Sequence, residues 1–261
     1  MKNAAIVLAG GNGSRMKSRI KKQYLLLGEY PVLWYSLKVF QKNSHIDEIV
    51  LVCGAGETEQ CRRQFVEEYG FSKITSVTEG GKERYHSVYE GLKALKDCEY
   101  VLIHDGARPF IDDAMLDRVF AYLPDCPACV AGMPVKDTIK IGNENGYVEQ
   151  TLPREKLWMI QTPQAFSYSL IRRAYDELIR REQEDCAKNE PEQTGSEHRD
   201  SERGKMNITD DAMVVESVLG VPVKLIEGSY DNIKITTPED LVLAGALLSR
   251  YKEGNGKEKA E

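Results

Sequence analysis

Val7–Leu25 reads VLAGGNGSRMKSRIKKQYL, and in it three glycines and several cations directly follow the first apolar run of the chain. Glycines at the end of a buried strand predict a tight turn whose backbone approaches another group closely. Arg15 and Lys22 predict that this group is negatively charged. Three partners remain open for these cations: a phosphate chain, a structural carboxylate, or solvent alone.

Two well-known phosphate-binding patterns do not fit this loop. The dinucleotide fingerprint G-x-G-x-x-G would begin at Gly11 and Gly13, but Met16 stands at its third glycine position. The P-loop spacing G-x-x-x-x-G-K-[ST] does not occur. The remaining functional interpretation is a glycine turn whose amides face a phosphate chain while Arg15 and Lys22 close over it. The structural alternative is a strand-to-helix turn with solvated cations.

Composition limits the class of protein. The 261 residues are 41% hydrophobic and 29% charged, with a formal net charge of −6, which is typical of a globular protein. The acidic balance argues against a broad nucleic-acid surface, and no apolar stretch approaches the roughly 18 residues that a membrane helix needs. We expect a cytoplasmic protein whose six cysteines are free thiols, including the Cys126–Cys129 pair, which we expect to be buried or half-buried.

Apolar runs and amphipathic stretches alternate along the chain. The apolar runs predict strands at 4–8, 48–53, 74–78, 100–104, 128–134 and 223–227. The amphipathic stretches predict helices at 32–41, 57–69, 85–95, 114–123, 168–181, 210–219 and 238–251. Strands without strict alternation, separated by helices, predict the α/β class with a mostly parallel central sheet flanked by helices.

Two segments interrupt this alternation. Residues 136–158 alternate around Asn145–Gly146, a strong hairpin signal, and predict a β-arm that protrudes from the sheet. Residues 181–206 are almost all charged or small and show no periodicity, so we expect a mobile insertion. We expect one domain over 1–251 that includes both segments, followed by a flexible tail over 252–261.

Seven strings in this order resemble the nucleotidyltransferases that act on sugar and polyol phosphates, and among them the cytidylyltransferases of 2-C-methyl-D-erythritol 4-phosphate. The strings are LAGGNGSRM…KKQY, GGKERYHSVYEGL, HDGARPFI, VKDTIK, REKLWMIQTPQAF, ITDDA and DNIKITTPEDL. They cover almost the whole chain except 181–206 and the tail. In one departure from the pattern, Lys21 stands where the family usually has proline.

The resemblance implies a Rossmann-like nucleotidyltransferase fold and a reaction in which a substrate phosphate oxygen attacks the α-phosphorus of CTP and releases pyrophosphate. Because a phosphate monoester has its second pKa near about 6, its oxygen is already anionic and needs no activating base. The resemblance gives Arg15 and Lys22 the role of stabilising the transition state, and Arg154 and Lys234 that of holding the acceptor phosphate. Surface or helix-flanking charges are the structural alternatives for the last two.

The resemblance also implies binding residues and a metal. Substrate contacts are expected at Gly10, Gly11, Gly13, Gly80, Gly81, Ser87, Asp105, Arg108, Thr138 and Thr162. Asp105 follows a predicted strand, where α/β sheets bind ligands, and is the expected ligand of Mg²⁺ or another divalent cation; pairing with Arg108 or Lys234 is its alternative. Asp231 is a weaker acidic candidate, and His104 is expected to be structural.

In relatives the β-arm crosses to a second subunit, so the resemblance implies a homodimer in which Thr138 and Arg154 act in the neighbouring site. A ribitol- or ribulose-5-phosphate cytidylyltransferase remains the nearest alternative. A glucose-1-phosphate type of enzyme using UTP or dTTP, and an inactive nucleotide-binding module, are further alternatives. The partners expected are CTP and a polyol phosphate, with neither nucleic acid nor membrane.

Overall fold

The computed structural model describes residues 2–11, 13–16, 18, 20–188 and 207–257. In chain order, its strands and helices are β1 (Asn3–Ala9), β2 (Leu26–Leu27), β3 (Tyr30–Pro31), α1 (Val32–Lys42), β4 (Glu48–Cys53), α2 (Thr58–Cys61), β5 (Ile74–Glu79), α3 (Arg84–Ala94), β6 (Tyr100–Asp105), α4 (Asp113–Tyr122), β7 (Ala128–Pro134), β8 (Lys140–Gly142), β9 (Val148–Thr151), β10 (Trp158–Ser167), α5 (Tyr168–Lys188), α6 (Asp211–Leu219), β11 (Lys224–Glu227) and α7 (Pro238–Lys257). A π-helix over Arg62–Glu68 continues α2. Each predicted strand and helix is present.

Seven strands of the described residues form one sheet in the order β11-β7-β10-β6-β1-β4-β5. β1 lies in the middle and pairs in parallel with β4 and β6, so that Ile6 lies opposite Val50 and Ile103. β10 is antiparallel to both of its neighbours, β6 and β7, while β11 is parallel to β7. The predicted α/β class with a mostly parallel sheet is therefore confirmed.

Helices cover both faces of this sheet. On one face, Leu37 and Phe40 of α1 and Met115 of α4 belong to one buried cluster. On the other face, Leu92 of α3 and Tyr175 of α5 belong to a second. Because side chains of both orientations are buried, the central strands have unbroken apolar sequences instead of an alternating pattern.

The sequence pattern did not predict β10. Its run WMIQTPQAFS contains Pro163, which removes a backbone donor and argues against a central strand. The pairing of β10 with β7 accommodates this residue by a register shift between Ile160 and Gln164. The strand therefore occupies the centre of the sheet despite its proline.

The predicted β-arm is confirmed as a hairpin. β8 and β9 pair with each other in antiparallel orientation, apart from the main sheet. Gly146 lies in the turn between them with φ of +81°, a conformation that glycine adopts without steric cost. The arm connects β7 to β10 and its strands are exposed.

The predicted insertion 181–206 begins inside helix α5, so its first boundary is wrong. Glu177 pairs with Arg180 at 2.8 Å and with Arg181 at 2.6 Å, at spacings of three and four residues. Such pairs stabilise an exposed helix, and they explain why a highly charged stretch is helical. The rest of the predicted insertion, residues 189–206, lies outside the described residues.

Helix α7 also differs from its prediction at one end. At its start, Asp240 accepts hydrogen bonds from the backbone N–H groups of Thr236 and Thr237 at 2.8 and 2.9 Å, so this carboxylate caps the helix. At its end, the helix continues into the predicted flexible tail 252–261 despite two glycines there, each of which costs about 1 kcal/mol in a helix. Residues 258–261 lie outside the described part.

The cysteines agree with their predicted environment. Cys129 is buried on β7, Cys126 is half-buried just before that strand, and all six cysteines are free thiols. No described helix combines the length and the apolar character that crossing a membrane requires.

Candidate active site

A cleft of about 590 Å³ opens at the carboxyl ends of β1, β4, β5 and β6. Ligands of open α/β sheets bind at this edge. The cleft brings together eight residues that the sequence predicted for the site: Gly10, Gly11, Lys22, Gly80, Gly81, Ser87, Asp105 and Lys234. Residues far apart in the chain therefore meet in one place.

The glycine loop forms one wall of the cleft. Gly13 has φ of +60°, which lets the chain turn after β1. A Cβ atom on Gly10 would lie 3.1 Å from the carbonyl oxygen of Cys53, so glycine also permits the close approach of this loop to β4. Gln23 fixes the returning chain, because its Nε2 donates to the carbonyl oxygen of Gly11 at 3.2 Å and also to that of Ala9.

Lys22 is the half-buried cation that this loop presents to the cleft. Burial lowers the pKa of its ammonium group, and repulsion by Lys234, Arg15 and Arg108 lowers it further; Asp105 opposes the change, and the resulting pKa is about 8. The site therefore concentrates positive charge beyond what its own carboxylate neutralises. An anionic ligand such as a triphosphate would relieve this repulsion.

Asp105 lies at the end of β6 with only 8% of its surface exposed. Its Oδ2 accepts from Nζ of Lys234 at 2.7 Å, and its Oδ1 accepts from Nε of Arg84 at 3.2 Å. Burial alone would raise the pKa of this carboxyl group, but Arg84 and Lys234 outweigh burial and hold the pKa well below its usual range. Asp105 is therefore ionised and orients Lys234 in the cleft.

Sequence reasoning missed the ion-pair network behind Asp105. Arg84 donates through both terminal nitrogens to the two carboxylate oxygens of Asp211, each at 2.8 Å. Asp211 is fully buried and also accepts from the Tyr175 hydroxyl at 2.6 Å. Although burial opposes the charge on Arg84, Asp211 and Asp105 raise the pKa of its guanidinium above the ordinary value.

The signals for this network were present in the sequence. Arg84 follows the second glycine pair in GGKER, and Asp211 lies in ITDDA at the start of α6. Both strings were recognised, but 127 residues separate the partners and a single sequence does not show which charges pair. Only the fold brings them together.

Thr162 lies behind the cleft, and its predicted role as a substrate contact stays a prediction. It is 4% exposed, and its hydroxyl accepts from the N–H of Asp105 at 3.0 Å and lies 3.1 Å from Nδ1 of His104. The other ring nitrogen, Nε2, lies 3.0 Å from the carbonyl oxygen of Arg108. His104 is fully buried, which lowers the pKa of its imidazole to about 4, so the neutral ring is a structural group that links Thr162 of β10 to the loop after β6.

Arg108 supports the loop that carries Lys234. Its Nη1 donates to the carbonyl oxygen of Asn232 at 2.8 Å and its Nη2 to that of Ile160 at 3.4 Å. The guanidinium of Arg108, a predicted substrate contact, thus lies against backbone oxygens beside the cleft. Arg108 does not line the cavity. Arg108 nevertheless adds to the positive field at Lys22.

The second glycine pair forms the opposite wall of the cleft. A Cβ atom on Gly80 would lie 2.6 Å from the Ser87 hydroxyl oxygen, so a larger residue at this position would force Ser87 to shift. The Ser87 hydroxyl accepts from the N–H of Gly81 at 3.2 Å and donates to the carbonyl oxygen of Glu83 at 3.2 Å. This wall presents backbone amides and a hydroxyl, groups suited to a base and a sugar.

Comparison with known proteins gives this geometry its context. The family model of 2-C-methyl-D-erythritol 4-phosphate cytidylyltransferase matches residues 3–195 and 190–250. The chain belongs to this cytidylyltransferase family. A relative of that name from Lachnoclostridium phytofermentans is 45% identical over 252 residues, covering 97% of this chain and 98% of the relative. Another, from Clostridium kluyveri, is 43% identical over 250 residues, covering 96% and 98%.

Solved structures agree with the assignment to the cytidylyltransferase family. The 4-diphosphocytidyl-2C-methyl-D-erythritol synthase of Anaerococcus prevotii superposes with a TM-score of 0.75 at 33% identity, covering 95% of this chain and 96% of the other. The 2-C-methyl-D-erythritol 4-phosphate cytidylyltransferase of Thermus thermophilus superposes with a TM-score of 0.69 at 28% identity, covering 94% and 98%. The predicted resemblance and fold are confirmed.

The remaining residues predicted from the cytidylyltransferase family lie outside the cleft of this chain. Arg15 is exposed beside Lys22. Asp231 pairs with Arg250 of α7, and its role as a second acidic contact stays a prediction. Arg154 donates to the carbonyl oxygen of Lys136 at 2.9 Å within the arm, and Thr138 is exposed on the same arm.

The donor set of the cytidylyltransferase cleft fits a magnesium ion that is held mainly by substrate. In the described residues, no group of three or more His, Cys, Asp and Glu side chains is placed to hold a metal. Mg²⁺ commonly takes one or two carboxylates and completes its shell with phosphate oxygens and water. Asp105 offers one such carboxylate, since each oxygen has two lone pairs and the contacts with Arg84 and Lys234 occupy one apiece.

Proposed function

We propose that this protein transfers the CMP moiety of CTP to 2-C-methyl-D-erythritol 4-phosphate, giving 4-diphosphocytidyl-2-C-methyl-D-erythritol and pyrophosphate, in non-mevalonate isoprenoid precursor biosynthesis. The observation that carries the proposal is the cleft in which Lys22 and Lys234 flank Asp105 at the carboxyl edge of the sheet. On a chain of net charge −6, this concentration of cations marks where two phosphorylated substrates meet.

The reaction is an in-line displacement at phosphorus. An oxygen of the acceptor phosphate forms a bond to the α-phosphorus of CTP, the bond from that phosphorus to the β-bridging oxygen breaks, and its electron pair leaves with pyrophosphate. A phosphate monoester with a second pKa of about 6 is already a nucleophile at neutral pH. The protein therefore has to position two anions and offset their charge.

The cations divide these tasks between them. We assign Lys22, with Arg15 beside it, to the α- and β-phosphates, where charge grows as pyrophosphate leaves. We assign Lys234 to the acceptor phosphate, because Asp105 fixes its ammonium at 2.7 Å on the other side of the cleft. Fixed cations of this kind contribute several kcal/mol, about 3–4 for one strong donor, to lowering a barrier.

The glycine walls fix the nucleotide. We assign the backbone groups of Gly80 and Gly81 and the Ser87 hydroxyl to cytosine and ribose, because this wall faces the cleft opposite the glycine loop. The amides of Gly10 and Gly11 line the same cavity and are the natural contacts for phosphate oxygens.

A magnesium ion completes the proposal. Asp105 is the residue that would hold it, together with the phosphates of CTP. When bound, the ion neutralises phosphate charge and favours departure of the pyrophosphate. The chain's own task is to keep Asp105 ionised and oriented, which Arg84 and the N–H contact with Thr162 do.

We further propose that the enzyme is a homodimer joined through the arm. The arm exposes large apolar side chains on a two-stranded ribbon: Ile139, Ile141, Tyr147 and Val148. An isolated hairpin is marginally stable in water, and a partner surface that covers these side chains would stabilise it. Thr138 and Arg154 would then reach the acceptor phosphate in the partner's cleft.

The cytoplasm is the compartment that this proposal favours. All six cysteines are free thiols. Disulfides are rare in the cytosol because its thiol buffers keep cysteines reduced, and free cysteines agree with that environment.

Pyrophosphate release with CTP and Mg²⁺ tests the function. We expect efficient turnover with 2-C-methyl-D-erythritol 4-phosphate, little with ribitol 5-phosphate, and little when UTP or dTTP replaces CTP. The variant K22A should lower kcat by about 100-fold or more without loss of folding. A strong preference for ribitol 5-phosphate would overturn the acceptor assignment, and CTP binding without turnover of either acceptor would favour an inactive nucleotide-binding module.

A further inference from the structure

Lys21, which stands where the family pattern has proline, makes an ion pair that the reaction scheme does not use. Its Nζ lies 2.6 Å from Oε1 of Glu57, at the start of α2. The two side chains are 25% and 18% exposed, so solvent screens this pair less than it screens a fully exposed one. The pair joins the loop after β1 to the turn after β4.

Glu57 holds the residues on both sides of Lys22 against the turn after β4. Its Oε2 accepts from the N–H of Gly54 at 3.0 Å and from the Tyr24 hydroxyl at 3.0 Å, while its Oε1 accepts from Lys21. One carboxylate thus holds the residue before Lys22, a residue shortly after it, and a backbone group of the opposite loop.

The segment held in this way carries a cation into the cleft. Lys22 and Gly54 both line the cleft, so the ion pair fixes the spacing between two of its walls. Burial and neighbouring cations act against the charge on Lys22 and lower the pKa of its ammonium group. Without a restraint, that repulsion would favour movement of the loop toward solvent.

The backbone of Lys21 is already in a proline-like conformation. Its φ of −62° and ψ of 141° match the fixed φ near −65° of proline. Its N–H donates no hydrogen bond within the described part of the chain. A proline would therefore fit here, and a lysine needs another restraint to keep the same backbone.

We propose that Lys21 and Glu57 are positioning residues for Lys22: their ion pair restrains the loop in the conformation that proline would impose, and so keeps the Lys22 ammonium in the nucleotide cleft. This inference rests on the proposed function, because it concerns how well Lys22 performs that reaction. Neither residue lines the cleft.

Four variants test the inference: K21A, K21P, E57Q and the double variant K21P/E57Q. In E57Q the amide oxygen still accepts hydrogen bonds, so that this change removes the ion pair with little change in shape. K93A is the matched control, because it removes an exposed Lys–Glu pair on α3 that is 2.8 Å long. Each is assayed for kcat, for the KM of CTP and for its melting temperature.

We expect K21A and E57Q to lower kcat about 10- to 100-fold, the scale of a small misplacement near the reacting centre, with a much smaller change in KM. We expect K21P to keep kcat within about threefold of the original, and E57Q to have little further effect once Lys21 is proline. Such non-additivity is the mark of residues that act through one restraint. K93A should leave kcat unchanged.

Two results would overturn the inference. One is full kcat in K21A and E57Q with only a lower melting temperature, which is what a purely structural ion pair would give. The other is an equal loss of kcat from E57Q whether residue 21 is lysine or proline, because Glu57 would then act independently of Lys21. If K21A fails to fold, the comparison of K21P with K21P/E57Q still decides. The original chain is assayed alongside, and its inactivity would refute the proposed function instead.

Discussion

Raising the pH from 7 to 9 should remove the proton from Lys22 in the free enzyme and weaken productive capture of CTP. With a pKa of about 8, the ammonium form falls from about 90% to about 10% over this range. If only that form binds the triphosphate productively, kcat/KM for CTP falls about tenfold. In the pH profile of kcat, the corresponding decrease lies at higher pH, because bound phosphates raise the pKa of Lys22 in the complex.

Profiles of kcat/KM against pH, measured for the original chain and for K22R, check this prediction. Arginine stays charged up to a pH of about 12, so the limb near pH 8 should disappear in K22R even if its overall rate is lower. A limb that persists near pH 8 in K22R would refute the assignment of that titration to Lys22.

The free energy of unfolding should rise with pH as Lys22 loses its proton, whereas kcat/KM falls. Because the folded state holds the Lys22 proton less tightly than the unfolded chain, the unfolded chain binds more protons between about pH 8 and 10.5. The contribution of Lys22 to the free energy of unfolding therefore rises with pH across that window, by about 1–2 kcal/mol after allowance for solvent screening. K22A should lack this increment in pH-dependent thermal melts, and an unchanged slope in K22A would contradict it.

Three further outcomes are expected. Replacing the buried Asp211 by alanine leaves Arg84 without its bidentate partner, so the free energy of unfolding should fall by about 3–5 kcal/mol, and a melting temperature within 2 °C or so of the original would argue against this. Because His104 is buried with a lowered pKa, the free energy of unfolding should decrease by about 3 kcal/mol as pH falls from 6.5 to about 4. The variant H104Q should show a smaller decrease over this range. An unchanged decrease in H104Q would assign the loss of stability to other groups. If Arg154 acts across a dimer, co-expressed R154A and K22A chains should recover about a quarter of the original activity. Half of the dimers then contain one chain of each variant, and each mixed dimer has one intact site of its two. Activity no higher than that of either variant alone would place Arg154 outside the partner's cleft.

Much of the fold followed from local pattern. Buried parallel strands have continuous apolar runs, so β4 and β7 were predicted with the bounds that they have in the structure. Asn145–Gly146 predicted the hairpin because few dipeptides suit such a turn. By contrast, β10 was missed because a proline such as Pro163 argues against a central strand. Helix α5 was predicted too short because the charged residues that form its stabilising ion pairs give it the composition of a disordered segment.

The candidate site was predictable where its residues follow strand ends or glycine turns. Asp105 and the glycines of both walls met in the cleft because the carboxyl ends of parallel strands share one edge. The pairing of Arg84 with Asp211 was not predictable, because long-range charge pairing depends on the packing of α6 against α5 and the sheet. The burial of Thr162 beneath Asp105 was not predictable, because it arises from the unpredicted strand β10.

The reversed direction of β10 decides where the arm emerges. β7 is parallel to β6, so its last residue lies at the edge of the sheet where the cleft opens, and β10 must start from that same edge to run the other way. The chain segment between them therefore emerges at the edge of the sheet where the cleft opens, whatever its length or sequence. This topology lets the arm differ in length and sequence without any change in the strands whose ends form the cleft.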